Sequence, residues 1–132
     1  MKKFIAIILV TIVCVLTLSS CALTTPGALK TAAKYDNAGY TVAVTVDADT
    51  IDKTFAADLG ARPGAIEQML EVLSEDETKE GIIVYYSNTN AAKNAADYFE
   101  SLTAEEENVD YVVHRKGNMV FFGHEACWND VF

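Results

Sequence analysis

Basic residues are scarce in this chain: ten Lys and Arg stand against nineteen Asp and Glu over 132 residues, a formal net charge of −9. Phosphate backbones and anionic headgroups are both recognised through a positive footprint, so the balance argues against nucleic acid as a partner. Histidine is scarcer, with only His114 and His124, and any zinc or Cys–His chemistry has to use that pair. Gly-x-Ser-x-Gly, phosphate-loop, dinucleotide and His-Glu-x-x-His patterns are all missing. Carboxylates come in runs, at 75–77 and 105–107, where like charges read as solvated loops rather than as an acid–base pair. Long apolar runs are lacking too. The longest, residues 4–18, reaches about 22 Å as a helix at about 1.5 Å per residue, short of the roughly 30 Å hydrocarbon core.

That run is nevertheless informative, because it follows Met1-Lys2-Lys3, holds no charge and has only Thr11 and Thr17 as polar members. A basic start, a short apolar middle and small residues at the exit are the layout of a signal sequence. The exit, Leu18-Ser19-Ser20-Cys21, resembles the lipobox of bacterial lipoproteins, in which an apolar residue and two small ones precede the cysteine that is lipidated. The resemblance implies that residues 1–20 are a signal peptide, that the Cys21 thiol takes a diacylglycerol, and that the protein sits on the extracytoplasmic face of the cell membrane. Two or more acyl chains anchor firmly where one is marginal. The stretch 22–27, "ALTTPG", is then a tether of at most about 20 Å, which keeps the domain near the bilayer.

Removal of residues 1–20 takes two of the ten basic residues and none of the nineteen acidic ones, which leaves 8 against 19, a charge of −11. It also takes Cys14, and lipid consumes Cys21, so Cys127 is the one remaining thiol. An internal disulfide is excluded and the fold must stand on its core.

Residues 28–132 read as a single α+β domain. "ALKTAAKYDNAGY" has helical spacing, with Leu29, Ala32, Ala33 and Asp36 on one side and Asn37 and Gly39 as stop signals. Residues 40–47, "YTVAVTVD", alternate as a strand buried on one side, with Tyr40, Val42, Val44 and Val46 on that face. Ile51, Phe55 and Leu59 recur at helical spacing before Gly60, Pro63 and Gly64 interrupt. Ile66, Met69, Leu70 and Leu73 fit a helix beginning at Pro63, yet the same stretch up to Ser87 can be two strands around a polar turn. Residues 81–87 are a strand under either reading. Residues 88–102 form a helix capped by Thr89 or Asn90, with Ala92, Ala95, Ala96, Phe99 and Leu102 inside. "YVVHRKGNMVFFG" is a hairpin turning at Gly117-Asn118, and the last residues suit two helical turns docked by Ala126, Cys127 and Val131. Helix followed by a strand opening Tyr-x-Val occurs twice, at Tyr40 and Tyr111, as two halves of a pseudo-twofold sheet would require. The expected fold is one mainly antiparallel sheet of four or five strands with helices packed on it.

The segments "NAGYTV", "IIVYYSN" leading into "AAKNAADYF", and "YVV" through "GNMVFFG" are similar to a loose group of small bacterial lipoproteins, mostly Gram-positive, with no assigned activity. The resemblance supports the fold and brings no catalytic residue with it.

Candidate chemistry is sparse. Asp47, Asp49 and Asp52 cluster as hard-cation ligands do, but an EF-hand would need an oxygen ligand at Ile51 and a glycine at Asp52; a helix cap at a solvated strand end is the better account, and no metal or cofactor is expected. In the hairpin His114 lies opposite Phe121, with His124 about 10 Å further along, too far to share a metal. His124 and Cys127, three apart, have the spacing of a base beside a thiol, which frames an alternative reading as a thiol-dependent or hydrolytic enzyme. Tyr85, Tyr86, Phe121 and Phe122 would make an exposed aromatic stripe if helices covered only one sheet face. The favoured reading is a non-enzymatic binding or accessory module that meets an envelope protein or a small ligand.

Overall fold

The computed structural model describes residues 26–105 and 110–132; the expected signal peptide and the expected lipidation site Cys21 lie outside them. The order of elements is helix α1 (Pro26–Asn37), strand β1 (Thr41–Thr45), a short helix α2 (Ala48–Thr50) that widens into a π-helical turn (Ile51–Phe55), strands β2 (Ile66–Leu73) and β3 (Glu80–Tyr86), helix α3 (Thr89–Glu105), strands β4 (Tyr111–Lys116) and β5 (Met119–His124), and helix α4 (Glu125–Asn129). The strands form one antiparallel sheet in the order β1-β2-β3-β5-β4. An α+β fold on a single antiparallel sheet is therefore what the chain adopts.

The order is symmetric about β3. A helix leads into an edge strand, β1 or β4, which pairs with the strand beside it, β2 or β5, and both of those flank β3. Helices α1 and α3 lie on opposite faces, as a twofold along β3 requires. The matching tyrosines follow suit, Tyr40 packing with the α1 face and Tyr111 with the α3 face.

One core lies between the sheet and α3 with the π-helical turn, and joins Ile51, Phe55, Leu59, Met69, Ile82, Val84, Phe99 and Phe122. Phe99 and Phe122 stack with centroids 4.8 Å apart, and burying an aromatic or aliphatic side chain of this size contributes about 1.5–3 kcal/mol. The second core lies between the other face, α1 and α4, and joins Tyr35, Tyr40, Val44, Leu70, Ile83, Phe121 and Cys127.

Coverage of both faces accounts for three departures from the sequence reading. Ala43 and Thr45 of β1 are buried as well as Val44, because the chain leaving β1 folds back over that face. Segment 66–73 departs from the helical reading and takes the strand reading that the sequence left open: β2 is buried on both sides along nearly its whole length, so Ile66, Met69, Leu70 and Leu73 do not alternate and their spacing mimics a helical stripe. Helix α1 turns inward on Ala28, Thr31 and Tyr35, leaving Ala33 and Asp36 exposed, since the ring of Tyr35 is the largest apolar group it can bury. The helix expected over 88–102 is present as Thr89–Glu105, with Phe99, Ala92, Ala95 and Ala96 inside, but the cap is Asn88, whose Oδ1 accepts from the Ala91 N–H at 2.8 Å. The β4–β5 hairpin turns at Gly117-Asn118, with Gly117 at φ 63°.

Candidate functional site

Several irregular segments meet where β3 ends. Tyr86 faces Ile66 across the sheet, and Asn118 of the hairpin turn closes over it, its carbonyl accepting from Tyr86 N and its Nδ2 donating to Tyr86 O, both at 2.8 Å. Residues 60–65 approach α3 from one side. Gly60, at φ 66°, ends the helical segment, and a Cβ there would stand 2.7 Å from the Tyr98 ring, so glycine alone permits both the turn and the close packing.

Between this loop and the start of α3 lies a cavity of about 340 Å³. Ala61, Ala65, Ala91 and Ala95 give it an apolar wall, and Arg62, Tyr86, Asn88, Asn90 and Asn94 its polar groups. Asn90 and Asn94 stand one helical turn apart and so share a face of α3. The Tyr86 hydroxyl is sealed from solvent and has no hydrogen-bond partner; burial raises its pKa, and a polar group left unpaired in this way costs about 1–3 kcal/mol. An apolar wall with a few converging amides and one guanidinium suits a small polar ligand, neutral or singly anionic.

At the other end of the sheet a shallower depression of about 590 Å³ is bordered by Tyr40, Asp76, Lys79 and Asp130. Several of its polar groups are already engaged. The Tyr40 hydroxyl donates to Asp130 Oδ2 at 2.7 Å, and hydrogen bonds from Thr78 and Ser74 hold the Asp76 carboxyl down to about 2.

The aromatic stripe anticipated from the sequence is not a surface. Tyr86 and Phe122 are buried on the α3 face and Phe121 on the α1 face. Tyr85 is half-buried, its hydroxyl beside Thr31 Oγ1 at 2.8 Å and donating to Gly27 O at 3.2 Å. Adjacent strand residues do point to opposite faces, but helices cover both.

The His124–Cys127 arrangement fails as a dyad for local reasons. His124 Nδ1 accepts from the Glu80 N–H at 3.0 Å, which commits that nitrogen to the backbone. Cys127 is fully buried, and burial pushes its thiol up to about 11, the opposite of activation. His114, opposite Phe121 as expected, stacks on Trp128 at 4.4 Å and pairs with Glu125 at 3.2 Å. The aspartates go separate ways: Asp47 caps α2, its Oδ2 accepting from Thr50 N at 2.9 Å, Asp49 pairs with Lys53 at 2.9 Å, and Asp52 Oδ1 accepts from Gly64 N at 3.0 Å. Among the described residues no cluster of three metal-ligating side chains occurs.

Sequence reasoning missed Arg62 and the asparagines, which look like ordinary helix-start and loop residues until the fold brings 60–65 against α3. It also missed Glu71. This carboxyl sits on β2 opposite Ala43 and Ile82, fully buried and with neither oxygen hydrogen-bonded. Burial pushes its pKa up to about 9, so at neutral pH it is a protonated acid.

Comparison with protein-family models, with curated proteins and with solved structures gives no match, so the functional argument rests on the residues.

Proposed function

We propose that this chain is a lipid-anchored extracytoplasmic protein whose domain binds a small polar ligand without chemically transforming it. The reading of its address is carried by one observation, the sequence Leu18-Ser19-Ser20-Cys21 directly after a charge-free run that begins behind Met1-Lys2-Lys3. The reading of its role is supported by the cavity beside α3, where Arg62, Asn90 and Asn94 supply charge and amides over an alanine wall. A thiol enzyme is disfavoured by the burial of Cys127 and the backbone hydrogen bond to His124.

The test is an NMR titration of the lipidated protein in detergent with galacturonate and, as a neutral control, galactose. Shifts confined to the side-chain amides of Asn90 and Asn94, and unchanged in Cys127→Ala, are the expected result. Shifts spread over the surface, or none with either sugar, remove the small-ligand role. Retention in the soluble fraction with an unmodified Cys21 removes the envelope address.

A further inference from the structure

The two edge strands of the sheet differ. Side chains 43–45 of β1 are buried, whereas Val112, Val113 and His114 of β4 are half-buried and Arg115 and Lys116 are exposed. The hydrogen-bonding phase of β4 follows from its neighbours. Tyr86 N donates to Asn118 O at 2.8 Å, so Asn118, Val120 and Phe122 direct their main-chain groups toward β3, and the residues between them turn theirs toward β4. Met119, Phe121 and Gly123 stand opposite Lys116, His114 and Val112, and those three bond inward. The N–H and C=O of Val113 and Arg115 therefore point away from the sheet, on the side where β4 has no neighbouring strand.

The chain along this edge is complementary to itself. Asp110 precedes β4 and Lys116 ends it; both are exposed, and neither has an ion-pair partner among the described residues. When an identical strand is laid antiparallel with Val113 facing Val113, position 110 of each copy opposes position 116 of the other, and Tyr111 opposes Arg115. Val113, with its main-chain groups outward, then forms the hydrogen-bonded pair on the axis. Asp110 and Lys116 fall in a pair of the other kind, where Cα atoms approach to about 4.5 Å and the side chains meet on one face. Moving the axis to Val112 sets Asp110 against His114, and moving it to His114 sets Lys116 against Val112. Of these registers, the one on Val113 alone joins carboxylate to ammonium. A lysine on an edge strand ordinarily guards it against pairing, but here the opposing residue is an acid. Charges elsewhere on two acidic copies are screened beyond about 8 Å at physiological salt.

We propose that β4 is an interface between two copies of this chain, which join edge to edge about a twofold axis at Val113. The five strands of each copy then continue into one antiparallel sheet of ten. Main-chain hydrogen bonds from Val113 and Arg115 hold the strands together, and the two Asp110–Lys116 pairs fix the register. Each copy has one such edge, and an isologous contact uses it on both sides, so assembly stops at the dimer. The interface depends neither on a ligand in the cavity nor on lipid at Cys21.

The test is zero-length cross-linking of the native protein in detergent solution with a carbodiimide, on a mixture of isotope-labelled and unlabelled chains, so that mass spectrometry separates links between copies from links within one. Within a copy Asp110 and Lys116 are six positions apart along an extended strand, about 20 Å, too far for a direct amide. An Asp110–Lys116 link between copies is the expected product. Val113→Pro, which an edge strand tolerates where the N–H faces outward, is expected to lower its yield about tenfold. Asp110→Lys and Lys116→Asp change exposed side chains, and each is expected to weaken self-association about tenfold in sedimentation velocity. An equimolar mixture of the two is expected to restore it, because every charge then meets its opposite. Absence of the link in the parent, a yield undiminished by Val113→Pro, or a mixture that associates no better than its components overturns the interface.

Discussion

Tyr35 donates its hydroxyl to the carbonyl oxygen of Cys127 at 2.8 Å, across 92 positions of sequence. The bond ties α1 to α4 over one face of the sheet, and burial raises the Tyr35 pKa, so the phenol stays a neutral donor. Tyr35→Phe retains the ring packing against Tyr40, whose centroid is 5.4 Å away, and leaves a buried carbonyl unpaired. The expected loss is about 1 kcal/mol, read from urea unfolding as a lower midpoint at unchanged slope. An unchanged midpoint would mean the bond contributes nothing net.

Gly81 and Gly123 face each other on β3 and β5, and a Cβ on Gly123 would stand 2.4 Å from Gly81 Cα and 2.5 Å from the Glu80 carbonyl oxygen. Both obstacles are backbone and cannot swing aside. Gly123→Ala is expected to destabilise by about 3 kcal/mol. Gly39→Ala serves as a control for backbone conformation without a clash, since nothing lies within 4 Å of its Cβ position. Equal losses from the two substitutions would show that crowding is not the cause.

Glu71 makes stability depend on pH in an unusual direction for an acid. Its folded pKa is raised from 4.5 to about 9, so between those values the folded state holds a proton that the unfolded chain has released. Its contribution is fully present below pH 4.5 and is lost as pH rises through 9, with a slope approaching 1.4 kcal/mol per pH unit, roughly the free energy of one proton. Glu71→Gln keeps the shape and removes the ionisation. Chemical denaturation at pH 5, 7 and 9 should give a declining midpoint in the parent that is flatter in the variant; parallel curves would show that the carboxyl is not buried as described.

How far the sequence could be read followed local signal strength. The Gly117-Asn118 hairpin and the α3 stripe ending in Phe99 were legible because turn chemistry and period are local. Segment 66–73 was ambiguous because a central strand buried on both faces loses its alternation, and its apolar residues then fit either period. The aromatic pairs Tyr85-Tyr86 and Phe121-Phe122 could be assigned to alternating faces, but not to solvent, since coverage depends on where α1 and α3 dock. Arg62 and Asn94 are separated by 32 positions of chain and only the tertiary fold brings them to one cavity. Glu71 gave no warning at all: a lone acid inside an apolar run reads as a solvent-facing position.

The placement of β3 at the middle of the sheet has a consequence for biosynthesis. Its first neighbour, β2, precedes it in the chain, but its second, β5, begins 33 residues after Tyr86. Until Met119–His124 has emerged, the backbone of Ile82, Ile83 and Val84 presents an unclosed apolar rim, the kind of template on which nascent chains stick to one another. The piece that seals this rim is among the last to be made, so a nonsense codon between the end of β3 and Met119 would leave an aggregating fragment rather than a smaller version of the domain.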